Sequence, residues 1–418
     1  MNNYFTFTPA LRELAAQAMA EITPTFATID VLAEYNQHKV LSAFLRHHVS
    51  ETHFAETTGY GYGDRGREVL DEVFADVLGC EAALVRHSFA SGTHTLAVAL
   101  FGLLRPGDCM LSVTGTPYDT IRPVIGLTGS GMGSLADFGV RYEEVALTAA
   151  GRPDTLAIVQ AIATHQPKMV YIQRSRGYTL RPSLRTEEIN EIAQLVKQHS
   201  NAIVFVDNCY GEFVQHDEPN VDIFAGSLIK NPGGGLAKSG GYIAGRAALV
   251  ELCAHRLTAP GLGSEVGASL GQNRNLFMGL FHAPHVVGES LKTAVFAAAL
   301  FARMGYAVAP AWHEERADII QSVTLGEPQK LIALCQGLQA GAPVDAHVQP
   351  QPWDMPGYDS QVIMAAGAFT MGASIELSAD APLREPYAAW LQGGLNFHSA
   401  KIGVLMAAER LLPLRDCL

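Results

Sequence analysis

The sequence predicts an α/β protein: a large, mainly parallel sheet covered by helices on both faces, followed by a smaller α+β domain. Three observations predict it. Between residues 82 and 229, strand-like and helix-like stretches alternate, the order that builds a parallel sheet from crossover units. The strand-like stretches are apolar almost throughout rather than at every second residue, as strands buried on both faces are. Charge is also scarce: 17% of the 418 residues are charged and 48% apolar, against roughly 25% charged in an ordinary soluble domain. Such a chain has a large interior or a large interface.

Taken in order, residues 9–48 read as two helices, with Pro9 at a favoured first-turn position and Leu11, Leu14, Ala15 and Met19 at helical spacing. They begin an N-terminal arm that, with the loop behind it, is expected to span residues 1–64. The stretch 57–67, TTGYGYGDRGR, holds too much glycine for regular structure, and a helical pattern starts just after it at Glu68. Strands are expected at 82–87, 109–114, 142–147, 169–173, 203–207 and 223–229, with helices at 92–104, 155–165 and 187–198. Together they make a large domain over residues 65–275. The remainder, 276–418, carries an alanine-rich helix at 291–304, strands near 306–309, 362–369 and 374–377, and a helix at 399–411; 350–356 reads as a loop.

Composition excludes several classes of function. With 29 Lys plus Arg against 41 Asp plus Glu, the net charge is −12, and such a surface repels a phosphate backbone. Nucleic acid is not an expected partner. Apolar runs such as Ala294 to Ala302 fall short of the ~18 residues of a membrane span, so no membrane is expected either. The N-terminus shows no basic stretch followed by an apolar one. The six cysteines, Cys80, Cys109, Cys209, Cys253, Cys335 and Cys417, have no paired spacing, which fits reduced thiols in a cytoplasm. No metal site is expected, because the 15 histidines form no HExxH pattern.

Two glycine motifs are decoys. Gly61, Gly63 and Gly66 spell GxGxxG, but the residues before them, 51–58, are polar rather than a strand, and a dinucleotide site needs the strand. GGGLAKSG, at 233–240, resembles a phosphate-binding loop, but Ala237 stands where the glycine before the lysine belongs.

The residues that carry chemistry lie elsewhere. Asp207 ends an apolar strand, and Lys230 ends the next strand-like run, 23 residues later. Open α/β sheets place their sites at such strand ends. A lysine able to condense with an aldehyde and a carboxylate able to keep a pyridine nitrogen protonated are what a pyridoxal phosphate enzyme requires. A surface lysine and a capping aspartate would read the same way singly. Their company decides. Ala90, Ser91, Gly92 and Thr93 open an apolar helix directly after a strand, and N–H groups at a helix start with short hydroxyls suit a phosphate. Ser227, three residues before Lys230, adds a hydroxyl, and Tyr118, beside Pro117, is placed to stack on the ring.

The segments TTGYGYGDRGR, ASGTH, TPYDT, VFVDNCYGEF, GSLIKNPGGG and GGYIAG, in this order along nearly the whole chain, resemble the pyridoxal phosphate proteins of the methionine γ-lyase or aluminium-resistance family, relatives of the Cys/Met-metabolism enzymes. The resemblance implies the fold-type I aminotransferase-like architecture, with a seven-stranded mainly parallel domain, a small C-terminal domain and sites shared between subunits of a homodimer or homotetramer. It implies that Lys230 holds the cofactor's aldehyde and Asp207 its pyridine nitrogen. The related enzymes also send a tyrosine and an arginine to the neighbouring subunit's phosphate. Here Tyr62 stands 30 residues before Gly92, and Arg65 or Arg67 follows. The strand end Gln173-Arg174-Ser175-Arg176 departs from the family's Asn-Pro type motif and leaves the group facing the phenolic oxygen unassigned.

For the substrate carboxylate a two-donor guanidinium is expected. Arg384, just past a strand and flanked by Pro382 and Pro386, is the first choice, and Arg176 the second. The expected reaction is carbon–sulfur bond cleavage in a sulfur-containing amino acid, with release of a thiol, ammonia and a 2-oxo acid. An aminotransferase, an aldolase or a catalytically silent cofactor-binding regulator would use the same anchors.

Overall fold

The structure is a computed structural model, which describes residues 4–129, 131–355 and 358–414. The chain divides into two compact units, 35–283 and 1–34 with 284–418. The first holds all of 65–275; residues 1–64 are divided between the two.

The chain opens with α1 (Pro9–Arg46), one helix where the sequence suggests two. Pro24 lies inside it and forfeits one backbone hydrogen bond. Burial on both sides keeps the helix going: Leu11, Ala15, Ala18 and Ile22 are buried before the proline, and Ile29, Val40 and Ala43 after it. Then come α2 (Arg65–Leu78), β1 (Ala82–Arg86), α3 (Gly92–Leu103), β2 (Cys109–Ser112), α4 (Arg122–Ile125), β3 (Arg141–Glu144), α5 (Thr155–His165), β4 (Met169–Gln173), α6 (Thr186–His199), β5 (Ile203–Asp207), β6 (Ile223–Ser227), β7 (Gly241–Gly245) and α7 (Ala247–Leu257).

The seven strands form one sheet in the order β1-β7-β6-β5-β4-β2-β3. It is parallel except for β7, which runs antiparallel to both β1 and β6. One face packs on α3 and α7, where Leu84, Met110, Tyr171, Phe205, Ile223 and Ile243 meet Leu96, Leu100, Leu103 and Cys253 in a single cluster. Tyr242, one residue before Ile243, points to the opposite face, and there Phe74 of α2 packs on it at 6.2 Å. Period-two alternation along β7 thus serves both layers.

The other unit contains β8 (Ala307–Ala309), β9 (Gln321–Thr324), α9 (Pro328–Ala340), β10 (Val362–Ala365), β11 (Ser378–Pro382), β12 (Ala388–Gln392) and α10 (Phe397–Leu411). Its sheet is antiparallel, in the order β10-β11-β12-β9-β8. The strand expected at 374–377 lies at 378–382 instead. Glu376 explains the shift, because its carboxylate accepts the backbone N–H groups of Phe369 and Thr370 at 2.9 and 2.7 Å and closes a loop. The long helix expected from residue 291 is α8 (Asn273–Arg303). Among the described residues it alone is long and apolar enough to cross a membrane, yet 83% of its most apolar window is buried inside the protein, as in a core helix. Cys80, Cys109, Cys209, Cys253 and Cys335 are free thiols; Cys417 lies outside the described residues.

Candidate active site

Three chain segments meet at the carboxyl ends of the parallel strands: the start of α3, the end of β5 and the end of β6. Gly92 is the joint between them. A Cβ added there would stand 3.3 Å from Ser227 Cβ and 3.7 Å from Cys209 Sγ, so the glycine lets the α3 N-terminus come this close without displacing Ser227. Ser91 caps that helix, its Oγ accepting the His94 N–H at 3.1 Å. Thr93 shares a 2.7 Å hydrogen bond with Thr120. Ser227 Oγ is buried with no hydrogen-bond partner among the described residues, a cost that an anion accepting its proton would remove. This pocket of helix N–H groups and an orphaned hydroxyl fits a phosphate.

Asp207 is 7% exposed. Its Oδ1 accepts the Cys209 N–H at 3.2 Å and its Oδ2 lies 3.4 Å from the Tyr171 hydroxyl. Burial pushes its carboxyl above the ordinary value, while the charge of Lys230 and those hydrogen bonds pull it down. Lys230 sits in the turn beyond β6, where its N–H bonds Ser227 O at 3.3 Å. It is not the end of the strand, as the sequence suggests, but the turn carries it next to the strand end all the same. Burial works against its ammonium, but Cys209, Tyr210 and Asp207 outweigh that and hold the lysine above its ordinary pKa. Its Nζ lies 3.7 Å from the centre of the Tyr210 ring.

Tyr118 is half-buried. Its N–H bonds Gln173 Oε1 at 2.7 Å and its ring meets Tyr178 edge-on at 5.2 Å. Gln173 is the register partner of Asp207 across β4 and β5, so Tyr118 is tied to the aspartate by one intervening side chain. Arg176 is buried, and its backbone N–H bonds Ser183 Oγ at 3.1 Å. Arg174 is fully buried and structural: it pairs with Glu218 at 3.1 Å and donates to Asn208 Oδ1 at 2.8 Å.

Other expected residues lie apart from this cluster. Tyr62 is 65% exposed and stacks on Tyr60 at 5.6 Å. Arg67 is 3% exposed, and its guanidinium donates to the carbonyls of Gly61, Gly267 and Glu265. Arg65 is the exposed arginine of the pair, bridged to Glu68 at 3.1 Å. The glycine-rich loop is ordered by its own chain: Asp64 accepts from Thr57, from the Arg67 N–H and from Asn273. Arg384 belongs to the other unit, between β11 and β12, where its carbonyl accepts the Tyr387 N–H at 2.8 Å. Lys238 is exposed and leads into a strand, not a helix.

Three residues at the site went unnoticed in the sequence: Tyr171, Cys209 and Tyr210. The last two stand inside VFVDNCYGEF, one and two positions beyond the Asp207-Asn208 pair. Tyr171 could have been found by alternation, because it lies two residues before Gln173 on the neighbouring strand and shares its face.

The chain matches the methionine gamma-lyase family over residues 11–412. It is 49% identical to the Bacillus subtilis protein YnbB, with 96% of each chain covered. A Clostridium acetobutylicum structure, a candidate cystathionine beta-lyase involved in aluminum resistance, superposes with a TM-score of 0.94 at 46% identity, covering 97% of this chain and 96% of its own. The carbon-sulfur lyase involved in aluminum resistance from Clostridium novyi gives 0.93 at 48% identity, with 97% of each chain covered. The two sheets are those of fold-type I pyridoxal phosphate enzymes. In sequence, in architecture and in the segments that meet at Gly92, this chain is therefore a member of the methionine gamma-lyase family of pyridoxal-phosphate-dependent enzymes.

Proposed function

We propose that the protein is a pyridoxal-phosphate-dependent carbon–sulfur lyase that cleaves a sulfur-containing amino acid of the methionine, cystathionine or cysteine type to a thiol, ammonia and a 2-oxo acid. One observation carries the reading: Gly92 joins a helix N-terminus and the unpartnered Ser227 hydroxyl to the segment that holds Asp207 and to the turn that holds Lys230. When bound, the cofactor supplies an electron sink for a carbanion at the substrate's α-carbon.

The chain's own residues do the rest. Ser91, Gly92, Thr93 and Ser227 bind the phosphate. Asp207 holds a proton on the pyridine nitrogen from a carboxylate already held by Cys209 and Tyr171. Tyr118 supplies a ring face. Lys230 Nζ would hold the aldehyde and would serve as the base for the α-proton. Arg384, or Arg176 in its stead, orients the carboxylate so that one bond at the α-carbon stands perpendicular to the ring. Tyr62 and one of the two candidate arginines, Arg67 or the exposed Arg65, on a loop pinned to its own chain, are offered to a second copy in a homodimer or homotetramer with shared sites; the free thiols support a cytoplasmic setting.

The test is a panel: protein loaded with pyridoxal phosphate is given cystathionine, methionine, cysteine and homocysteine, and thiol, ammonia and keto acid are scored. Equal amounts of all three from at least one compound are expected. Amino transfer to an added keto acid without ammonia would replace the reading by an aminotransferase. A bound chromophore with no product from any compound would replace it by a regulator.

A further inference from the structure

Tyr210 follows β5 in a loop whose backbone is unusual. Its φ is +72°, a region that a residue with a Cβ rarely adopts. Buried neighbours impose that backbone on both sides. Before it, Asn208 is locked by Arg174 at 2.8 Å and by Glu218 at 2.9 Å. After it, the Gly211 N–H returns to Asn208 O at 3.0 Å, and a Cβ at Gly211 would meet Arg174 at 2.4 Å. Phe213, also left-handed at φ +63°, donates its N–H to Glu218 at 3.1 Å. What the strained backbone achieves is a position: the ring face lies 3.7 Å from Lys230 Nζ, well inside the reach of a cation–π contact.

We propose that Tyr210 is a positioning residue for Lys230, its ring face holding the lysine ammonium whenever that nitrogen is not bonded to the cofactor's aldehyde carbon. The inference rests on the lyase reading above and goes beyond it. Lys230 is an amine before the cofactor is attached. It becomes one again in each turnover, when the substrate nitrogen bonds to the aldehyde carbon and the bond from that carbon to Nζ breaks. The amine then takes the α-proton, the electron pair of that C–H bond stays with substrate and cofactor, and the ammonium so formed is the form an aromatic face attracts most. The titratable groups facing Nζ are Asp207 at the end of β5 and Cys209 and Tyr210 in the loop. Of the three, Tyr210 has a ring in contact with the nitrogen itself.

The test uses the full chain freed of cofactor. Pyridoxal phosphate is added, the adduct at Lys230 is trapped with borohydride, and the rate is followed from neutral to alkaline pH. Tyr210→Phe keeps the face but loses the hydroxyl, which also favours the ammonium, so its midpoint should move less than that of a variant with no ring. Tyr210→Leu loses the face: the pH midpoint should move down, because the ammonium is no longer favoured. Tyr210→Asn, whose side chain tolerates the left-handed backbone, should show the same shift and covers the case in which the leucine variant does not fold. A residue with only a structural role would lower the melting temperature without moving the midpoint. A wild-type midpoint in the Leu and Asn variants, or a shift in Phe equal to that in Leu, would overturn the proposal alone. Absence of any adduct in the wild type would overturn the lyase reading with it.

Discussion

Lys230 and Lys238 are both near the glycine turn, yet only one has neighbours suited to an aldehyde. Lys230 stands on Tyr210 and close to Ser227, whereas Lys238 is exposed. Lys230→Ala should therefore abolish the borohydride-trapped adduct and Lys238→Ala should keep it; peptide mass mapping separates the two, and a reversed result ends the assignment. Asp207→Asn removes the negative charge that favours a protonated pyridine nitrogen. Cofactor should remain bound while turnover drops by about a hundredfold or more, the scale of a few kcal/mol. Near-normal turnover in that variant is incompatible with an electron sink. Arg384→Lys should lower kcat/KM by about tenfold or more while leaving the cofactor spectrum intact, since a lysine cannot form the two-donor fork. Full kcat/KM there, with a loss in Arg176→Lys, would move the carboxylate clamp to Arg176.

At the scale of elements, what could be read from the sequence was the part governed by apolar pattern. β4 and β5 run over the expected residues, 169–173 and 203–207, because every residue of the first and most of the second is buried. β7, β9 and β12 were invisible, since GYIAG, QSVT and AAWLQ are short and rich in small residues and declare themselves only by pairing. β11, SADAP, is wholly buried without one β-branched residue. The site divides the same way. Its strand-end and helix-start residues were legible, whereas Tyr210 depends on a left-handed backbone imposed by Arg174, Asn208 and Glu218, contacts that no local pattern encodes. The pairing of β6 with β7 also encloses Glu212. Gly226 leaves the space, for a Cβ there would meet Glu212 Oε1 at 2.5 Å, and the Tyr242 hydroxyl donates to that oxygen at 2.7 Å. Burial pushes this carboxyl from 4.5 up to about 8. The folded protein thus binds this proton more tightly than the unfolded chain, so Glu212's contribution to stability is full below pH 4.5 and is lost as pH rises towards about 8. Glu212→Gln cannot ionise and should flatten this slope, a difference of a few kcal/mol across the window. Urea titrations of both proteins at the two ends of the window measure it, and equal slopes would mean the carboxyl is not neutral.

For the whole molecule, the loop at 57–67 sets the prediction. Asp64 pins it to its own chain through Thr57 and Asn273, and Gly267 and Leu270 donate their N–H groups to its Tyr60 and Thr57 carbonyls at 2.9 and 3.1 Å. Held this way, the loop displays Tyr60 and Tyr62 at 71% and 65% exposure, an arrangement suited to a neighbour rather than to solvent. Mixing inactive Tyr62→Phe protein with inactive Lys230→Ala protein should restore part of the activity, because each hybrid dimer regains one intact site. No recovery after verified subunit exchange would mean the loop serves its own chain.

The antiparallel strand in the large sheet also dictates when the site can exist. β1 lies at the sheet edge and has β7 as its sole strand neighbour, with Arg86 opposite Gly241. Ser91, Gly92 and Thr93 leave the ribosome early, directly behind β1, yet among the described residues that strand has no partner until Gly241 to Gly245 have been synthesised. A nascent chain halted before β7 would carry Ser91 to Thr93, Asp207 and Lys230 without the strand that pairs with β1. If the chain takes pyridoxal phosphate as proposed, the length at which a stalled chain first captures it should exceed β7 by the stretch the ribosome still shields.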